Sequence, residues 1–571
     1  MHDTVIRGGT IIDGTGQPGF TGDIAIDGDR IAQVGGKAGP GKREINAAGL
    51  IVTPGWVDAH THYDGQATWD PMLAPSSWHG VTTILFGNCG VRFAPVRRSH
   101  HQELIGLMEA VEEIPGTALA EGLKWNWESF PEYLDALAGM RRTIDIGAQV
   151  PHHPLRVFVM GQRAIDLEAA TADDIAAMRK LTAEGLRAGA FGFTTSRTNS
   201  HKTLTGGMVP SRYSEIDELM GIGRALGDVG HGAFGMNSDF DIEETELGWM
   251  TQLGKETGRP VWFLLTDRPT DDDRWRRLMD GVRAARAQGA MVTAQVAGRP
   301  VGVLLGADTA LNPFSIRPSY QPLLALPIAE RMARLRDPAM RAEILADRPS
   351  EALMKPLSQF RQHIVRRWHR MFKLGNPPDY EPPASASIAA IAEREGRTPD
   401  EVAYDYLAAD PTNFIFFPVT GYNVDNHDVI REMLTSEETV LGLSDGGAHC
   451  SSILDAGMPT WMITHWARDR HRGPRLPLEL IVKRQTSETA GFFGLHDRGV
   501  LAPGKKADVN IIDYAGLQVQ KPEIVYDLPA GGRRLVQKVN GYKATFVSGI
   551  PVFENGEHTG ALPGQLVRAG R

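Results

Sequence analysis

Short apolar segments alternate with helical stretches through the middle of the chain, and this alternation restricts the fold more than any other feature. The predicted strands are 55–62, 82–90, 143–150, 189–196, 231–238, 260–267, 290–297 and 439–446. Helical stretches such as 171–189 (TADDIAAMRKLTAEGLRAG) lie between several of them, with apolar residues at three- and four-residue intervals. This order of strand-then-helix units predicts an α/β fold, a (β/α)8 TIM-like barrel.

The two ends of the chain share a different pattern, in which short apolar runs are broken by Gly-rich turns. TVIRGGTIID and GDIAIDGDRIAQVG represent it near the start, and GYKATFVSGIPVFENGE represents it near the end. Such runs are typical of a small β module. We therefore expect residues 1–53 and 498–571 to build one small β-sandwich domain around a barrel domain at 54–497.

A long irregular segment, 298–438, separates the seventh and eighth predicted strands. It holds helix-like stretches at 325–347 and 385–396, and a proline-rich stretch, NPPDYEPP, at 376–383. A segment of this length within a compact domain is commonly functional. We expect it to be an elaborated barrel loop that covers the barrel mouth.

Charge and cysteine content exclude several classes of protein. The net charge is −9 and the sequence has no long run of Lys and Arg, which argues against a nucleic-acid partner. The two cysteines, Cys89 and Cys450, cannot build a disulfide framework, so a reducing compartment is expected. No stretch approaches 18 uninterrupted apolar residues, so we expect no membrane partner and a cytoplasmic location.

Candidate metal ligands lie at the ends of three predicted strands. His60 and His62 end the first strand, where alternate side chains share one face and both imidazoles could meet at one point. Catalytic groups of a barrel lie at the carboxyl ends of its strands, and Cys89 and Asp445 end the second and eighth strands. Imidazole, thiolate and carboxylate together suit zinc better than magnesium or calcium.

Each of these residues also has a simpler interpretation. Paired histidines occur as ordinary polar residues, Cys89 could be a small buried apolar residue, and Asp445 could be a turn or capping residue before Gly446. The candidates end three different strands, and in a barrel these strand ends should lie close together. This arrangement favours a shared metal site over three unrelated roles.

Five stretches of the sequence resemble a known family. VIRGGTIIDGTG through AAGLIVTPGWVDAHTH resembles the opening of the amidohydrolase superfamily, and GVLAPGKKADVNIID resembles its return into the small β-sandwich. VTTILFGNCGV, VLGLSDGGAH and TSETAGFFGLHDRGVLAPGKKADV resemble the N-acyl-D-amino-acid deacylase (D-aminoacylase) branch. The resemblance spans nearly the whole chain and is weakest across 298–438. It implies a zinc-dependent barrel in which His60, His62 and Cys89 are metal ligands and Asp445 is the catalytic aspartate.

Two strand ends depart from the family pattern. The family supplies one histidine from strand 5 and another from strand 6, the latter followed by a substrate-binding lysine. Here these regions read FGMNSDF and VWFLLTDR, without histidine. The second metal position and the lysine are therefore in doubt, although four polar residues could replace them in part, and we favour one zinc ion while leaving two open. These residues are Asn237, Asp239, Thr266 and Asp267.

Four further polar residues near predicted strand ends are candidate substrate-binding groups. Arginine can hold a carboxylate through two hydrogen bonds, and histidine can bind an oxyanion or a metal. Each could instead stabilise a loop. These candidates are Arg197, His201, Arg299 and His449, with a weaker case for His152 and His153. The charged run RDRHRGPR at 468–475 reads as a solvated loop and helix end.

The sequence predicts metal-dependent hydrolysis of a linear amide in a small, carboxylate-bearing molecule, as the resemblance to N-acyl-amino acid deacylases implies. The metal would activate a water molecule, with Asp445 as general base and then general acid. Hydrolysis of a cyclic amide or another acyl bond is the alternative among enzymes, and a non-catalytic barrel scaffold or binding protein is the alternative outside them. Barrels of this type often associate, so a homo-oligomer is left open.

Overall fold

The computed structural model describes residues 1–268, 271, 273–309, 311–355, 362, 364–442 and 444–570. Its strands are β1 His2–Ile11, β2 Phe20–Asp27, β3 Arg30–Val34, β4 Gly41–Asn46, β5 Ile51–Pro54, β6 Trp56–Thr61, β7 Val81–Phe86, β8 Asp145–Ala148, β9 Val150–Pro151, β10 Gly192–Arg197, β11 Ala233–Ser238, β12 Val261–Leu264, β13 Val292–Val296, β14 Gly302–Leu305, β15 Phe372–Lys373, β16 Ile415–Pro418, β17 Thr439–Leu441, β18 Val509–Ile512, β19 Gln518–Val519, β20 Glu523–Leu528, β21 Gly532–Val536, β22 Val539–Asn540, β23 Tyr542–Val547, β24 Ile550–Glu554 and β25 Glu557–His558.

Helices follow most strands of the middle region and fill much of the segment before β17. They are α1 His101–Glu112, α2 Gly116–Gly122, α3 Phe130–Ala138, α4 His152–Met160, α5 Gln162–Ile165, α6 Ala172–Arg187, α7 Ile216–Val229, α8 Glu243–Thr257, α9 Arg274–Ala287, α10 Ile328–Leu335, α11 Pro338–Ala346, α12 Glu351–Met354, α13 Ile388–Glu395, α14 Pro399–Ala409, α15 Asp428–Thr435, α16 Met458–Thr464, α17 Leu478–Lys483 and α18 Thr489–Phe492. In the described parts of the chain, none of the helices combines the length and the apolar character that a membrane span requires.

Parallel strands form the centre of the fold. β6, β7 and β8 pair in that order, and β9, β10, β11, β12, β13 and β17 form a second parallel sheet. Each of the eight segments predicted from sequence contains a strand. β6 and β7 are buried along their whole lengths, as expected for parallel strands covered on both faces. Their polar members, among them Asp58 and His60 of β6, are buried as well.

The helix predicted at 171–189 is confirmed as α6, Ala172–Arg187. It begins at Thr171, whose side chain accepts a hydrogen bond from the Asp174 backbone N–H, while the Asp174 side chain accepts one from the Thr171 backbone N–H. This reciprocal pair is a capping box, which satisfies two donors that the first helical turn leaves free.

Strands from both ends of the chain lie in one sheet. Its order is β25, β24, β23, β18, β5, β1, β2 and β3, with β4 also paired to β1. The register between the two ends is antiparallel and pairs Val52 with Ile511. Ile6, Ile24 and Phe546 belong to the hydrophobic cluster against this sheet. The sandwich architecture and the domain limits remain predictions.

The segment 298–438 has a hydrophobic core of its own. β14, β16 and β15 form an antiparallel sheet within it, and the buried side chains of Leu305, Phe314 and Tyr404 lie in one cluster. The helix-like stretches predicted at 325–347 and 385–396 contain α10, α11 and α13. A cover over the barrel mouth remains a prediction.

The charged run at 468–475 is predicted to be solvated, and this prediction is wrong for Arg470. Arg470 is 2% exposed, and its guanidinium lies 4.8 Å from the Trp466 ring. It also forms ion pairs with Glu381 and Asp428 at 3.0 and 2.9 Å. An arginine can be buried in this way because two carboxylates and an aromatic face replace its hydration.

His152 lies in a buried ion network beneath the strand ends. The Glu218 carboxylate is 2.8 Å from His152 Nε2 and accepts a hydrogen bond from Arg156 Nε at 2.7 Å. Burial alone raises the pKa of Glu218, but hydrogen bonds and charge from His152 and Arg156 lower it to about 2. This arrangement supports a structural role for His152.

Glu218→Gln is expected to lower the free energy of unfolding by about 3–5 kcal/mol, because it leaves the buried Arg156 cation without its carboxylate. Since the folded-state pKa lies below the ordinary 4.5, the carboxylate stabilises the fold above that pH and loses this effect as the pH falls towards 2. Urea titrations at pH 7 and at lower pH measure both effects. The matched control is Asp228→Asn, which breaks the exposed Arg179–Asp228 pair and should cost no more than ~1 kcal/mol. An equal, small loss for both variants would contradict the prediction.

Candidate metal centre

Backbone hydrogen bonds bring the first and eighth strand ends together. The Asp445 N–H donates to the His60 carbonyl at 3.1 Å, and the His62 N–H donates to the Gly446 carbonyl at 2.7 Å. Ser444 Oγ also donates to the Asp58 carboxylate. These contacts fix the segment that carries Asp445 beside the histidines of β6.

A tight turn after β7 positions Cys89. Gly87 has a φ of +111°, and a Cβ at this residue would lie 2.5 Å from the Gln149 backbone nitrogen, so the close approach requires glycine. The Asn88 side-chain amide donates to the Thr61 carbonyl at 3.2 Å and ties the turn to β6. Cys89 Sγ then lies 3.7 Å from His60 Nε2.

Three non-glycine residues of this region have left-handed backbone. The φ angles are +57° at Cys89, +50° at Asp445 and +48° at His449. Such conformations are unfavourable for these residues and persist when the surrounding structure holds them. Their concentration at converging polar side chains supports a functional site.

The donor atoms of His60, His62 and Cys89 all lie within 4.8 Å of one another. Asp445 Oδ1 lies 3.2 Å from His62 Nε2 and 3.5 Å from His60 Nε2. A tetrahedral zinc ion with bonds of about 2.0–2.3 Å requires ligand separations of roughly 3.3–3.8 Å. His60 Nδ1 is 2.7 Å from Gln295 Oε1, which directs the lone pair on Nε2 towards the cluster. The residues present therefore fit a zinc ion.

His62 lies between two carboxylates. Its Nε2 faces Asp445, and its Nδ1 lies 3.1 Å from Glu112 Oε1, without the alignment of a hydrogen bond. Burial alone lowers the pKa of His62, but the charge of Glu112 and the hydrogen bond to Asp445 raise it well above the ordinary value. Without metal, His62 is therefore a buried imidazolium whose charge is balanced on both sides.

The two other donors are neutral without metal. Burial lowers the pKa of His60 to about 4 and raises the pKa of the Cys89 thiol to about 11. A metal ion that binds Cys89 as thiolate and His62 through Nε2 must displace protons from both. We therefore expect metal affinity to fall as the pH falls.

Sequence reasoning missed Glu112 and Gln295. Glu112 is 2% exposed at the end of α1, and a helix-end glutamate in sequence gives no sign that it is buried. Gln295 could have been found from the sequence, because it is a polar residue within an otherwise mostly apolar strand, β13, Val292–Val296. A buried polar side chain in such a strand needs a partner, which here is His60.

Glu112→Gln is expected to lower metal affinity by about 10–100-fold, because the negative charge of the carboxylate beside Nδ1 increases the basicity of the ligating His62 ring. Competition with a chelator of known affinity measures the change. Glu103→Gln is the control, since Glu103 lies in the first turn of the same helix, remote from the Glu112 end. Equal affinities for the two variants would contradict a role for Glu112.

Two of the candidate substrate-binding residues lie near this cluster. His449 Nε2 is 3.8 Å from Glu112 Oε2, and its side chain is 25% exposed. His201 Nδ1 is 2.8 Å from Ser196 Oγ, and burial lowers the pKa of His201 to about 4 while Glu112 acts against this. Both histidines therefore lie within electrostatic range of the candidate centre.

The two candidate arginines have protein partners. Arg197 forms an ion pair with Glu246 at 3.1 Å and donates to the Ser214 carbonyl at 2.6 Å. Arg299 is buried and forms an ion pair with Asp455 at 2.9 Å. A substrate carboxylate would have to compete with these partners, and the substrate-binding role of both arginines remains a prediction.

The regions after strands 5 and 6 also carry internal pairs. Asp239 accepts hydrogen bonds from Arg268 at 3.1 Å and from Thr198 at 2.8 Å. Asp267 is 2% exposed and accepts a hydrogen bond from the Asn423 N–H at 3.3 Å. Whether either replaces a missing histidine remains a prediction.

Comparison with known proteins identifies relatives along the whole chain. The D-aminoacylase of Alcaligenes xylosoxydans xylosoxydans is 26% identical over 575 residues, which cover 99% of this chain and 97% of that protein. A solved D-aminoacylase, 24% identical with a TM-score of 0.64 over 100% of both chains, has a binuclear metal center with one-metal activation and second-metal attenuation. The N-acyl-D-glutamate deacylase from Bordetella bronchiseptica, solved with zinc and a phosphonate inhibitor, is 23% identical with a TM-score of 0.64 over 100% of both chains.

The likeness to both solved structures shows that the chain has their α/β fold. A model of the amidohydrolase family matches residues 43–553, which include every candidate ligand of the metal centre. The chain therefore belongs to the amidohydrolase family and is a hydrolase that acts on carbon–nitrogen bonds other than peptide bonds.

Proposed function

We propose that this hydrolase cleaves the linear amide bond of an N-acyl-amino acid at a zinc site made by His60, His62, Cys89 and Asp445. The observation that carries the proposal is the convergence of their donor atoms at the ends of β6, β7 and β17. Similarity to a D-aminoacylase over 99% of the chain supports the substrate class.

When bound, zinc supplies Lewis acidity, which polarises the scissile carbonyl and acidifies a water molecule. Asp445 is the group that accepts and then donates the proton of the attacking water. Burial alone raises the pKa of Asp445, but the hydrogen bond from His62 and the charge of the His62 imidazolium bring it below the ordinary value. The carboxylate is therefore ionised at neutral pH, so it can accept a proton from the attacking water and then protonate the leaving nitrogen.

One zinc ion is sufficient for this chemistry. The regions of Asp239 and Asp267 lack histidine, and both carboxylates already accept hydrogen bonds from protein groups. The one-metal activation of a solved D-aminoacylase supports the same stoichiometry.

The acylamino-acid carboxylate enters from the side of His449 and His201. The His449 side chain is 25% exposed, and its Nε2 lies 3.8 Å from the Glu112 carboxylate. Arg197 and Arg299 are further candidate partners of this carboxylate, which would have to displace Glu246 and Asp455 from them.

The site lies at the mouth of a closed (β/α)8 barrel, residues 54–497, with a sandwich built by 1–53 and 498–571. The parallel bridge between Thr61 and Gly446 supports closure, since it joins the end of β6 to the segment after β17. The direct succession of β8 and β9 supports continuity between the two parallel sheets.

A substrate screen with zinc-loaded protein tests the proposal. N-acyl-D- and N-acyl-L-amino acids are compared with cyclic imides and hydantoins, and release of the free amino acid or ring opening is measured. Release of an amino acid without ring opening is expected. Ring opening alone would favour the cyclic-amide alternative, and a protein without bound metal or turnover would favour the scaffold.

A further inference from the structure

Elsewhere in the described residues, a second group of metal-competent side chains converges. Glu381, His427 and His465 each present one donor atom, and these atoms lie within 4.8 Å of one another. Glu381 belongs to the proline-rich stretch 376–383, His427 precedes α15, and His465 begins a π-helical turn, His465–Asp469, that continues α16. The cluster thus joins three separate parts of the chain.

The three donor atoms have the separations that one small ion requires. His465 Nε2 lies 3.1 Å from Glu381 Oε2 and 3.3 Å from His427 Nδ1, and His427 Nδ1 lies 3.8 Å from Glu381 Oε2. Two imidazoles and one carboxylate around tetrahedral zinc, with bonds of about 2.0–2.2 Å, have edges of roughly 3.3–3.6 Å. The observed separations bracket this range.

The cluster has more lone pairs than protons. His427 Nε2 lies 2.9 Å from the Tyr380 carbonyl, which can only accept, so the proton of neutral His427 is on Nε2. With that proton on Nε2, Nδ1 presents a lone pair and faces both His465 Nε2 and Glu381 Oε2. His465 Nε2 has at most one proton for two acceptors, Nδ1 of His427 and Oε2 of Glu381. A cation at their centre would satisfy all three atoms.

Neighbouring groups hold the donors in position. Arg470 donates to both Glu381 oxygens at 3.0 and 3.2 Å, and the His427 N–H donates to Glu381 Oε1 at 2.8 Å. The His465 ring stacks on Trp461 with centroids 4.1 Å apart. Hydrogen-bonded ligands of this kind are usual around metal sites.

Arginines balance the charge of the carboxylates around the cluster. Glu381 and Asp428 both contact Arg470, and Asp428 also lies 3.9 Å from Arg431, so these four groups together are electrically neutral when all are ionised.

We propose that Glu381, His427 and His465 form a second, structural site for a divalent ion of the zinc class, separate from the candidate active site. The ion connects the proline-rich stretch 376–383 to α16 and the π-helical turn that continues it, which follow the eighth strand. Two imidazole nitrogens and one carboxylate oxygen select zinc or a neighbouring transition ion over magnesium and calcium. The site stabilises the segment before β17 and takes no part in amide hydrolysis.

Cobalt(II) binding to the full-length protein tests the proposal, because a thiolate ligand gives cobalt a near-ultraviolet charge-transfer band. The Cys89 site should show this band, and a site without sulfur should not. His465→Gln and His427→Gln are each expected to bind one cobalt ion per chain fewer than the unchanged protein, with the thiolate band intact. His471→Gln is the matched control, because His471 is exposed in the same region, and it should bind the full complement.

Unchanged cobalt content in folded His465→Gln or His427→Gln protein would overturn the proposal, as would loss of the thiolate band together with the ion. Hydrogen exchange of the unchanged protein with and without zinc gives an independent measurement that does not depend on variant folding. Slower exchange at 376–383, 427–435 and 458–469 on zinc addition is expected. Protection confined to the segments around His60 and Cys89 would contradict a second site.

Discussion

Asp445→Asn is expected to lower kcat for amide hydrolysis by a factor of about 10²–10⁴, the usual contribution of a general acid–base group. The amide cannot accept the proton of the attacking water at neutral pH, although it nearly preserves the shape of the carboxylate. Zinc content should remain largely intact, because His60, His62 and Cys89 still provide three donors. Kinetics of zinc-loaded protein and metal analysis of the same sample separate the two effects.

Asp173→Asn is the control for this substitution, since Asp173 is exposed in the first turn of α6. It should leave kcat and zinc content unchanged. Retained turnover in Asp445→Asn would remove Asp445 from the proton-transfer role. Loss of zinc together with activity would instead make metal retention its main contribution.

Cys89→Ala is expected to reduce zinc affinity by more than the ~10–100-fold typical of an outer-sphere partner, and hydrolysis should be lost at limiting zinc. Burial raises the pKa of the Cys89 thiol to about 11, so zinc binding near neutral pH must release this proton. The variant should therefore release one proton fewer per zinc ion. Calorimetric titrations in buffers with different ionisation enthalpies measure both the affinity and the proton count.

Cys450→Ala provides a matched control with the chain's other buried cysteine. Cys450 Sγ lies 3.6 Å from the Gly447 carbonyl and is absent from the clusters of converging donors in the described residues. It should retain the zinc affinity and proton release of the unchanged protein. The same proton count for both variants would argue against a Cys89 thiolate ligand.

The strand order and the candidate ligands at strand ends could be predicted from sequence for one physical reason. Parallel strands place their carboxyl ends at the same edge of a sheet, so residues that end different strands come together even when they are hundreds of positions apart. His60, Cys89 and Asp445 satisfy this rule, because their strands leave clear apolar runs.

Groups that reach a site from helices and loops leave no such periodic signal. Glu112 ends α1 and faces His62, and Glu381 lies in a proline-rich loop, yet each is 2% exposed. Arg470 belongs to a strongly charged run, and its burial depends on Glu381 and Asp428, which lie 89 and 42 positions earlier in the chain. Tertiary pairing determines the burial of these charges, and one sequence does not reveal the pairs.

Zinc reconstitution of chelator-treated protein tests the proposed metal-dependent hydrolysis most directly. The rate of N-acyl-amino acid hydrolysis is measured as zinc is added in fractions of one equivalent per chain, beginning with His465→Gln protein to remove the proposed structural site. Activity should be absent without metal and should rise to a plateau near one equivalent. Full activity in protein shown to contain no metal would contradict the zinc site of His60, His62 and Cys89.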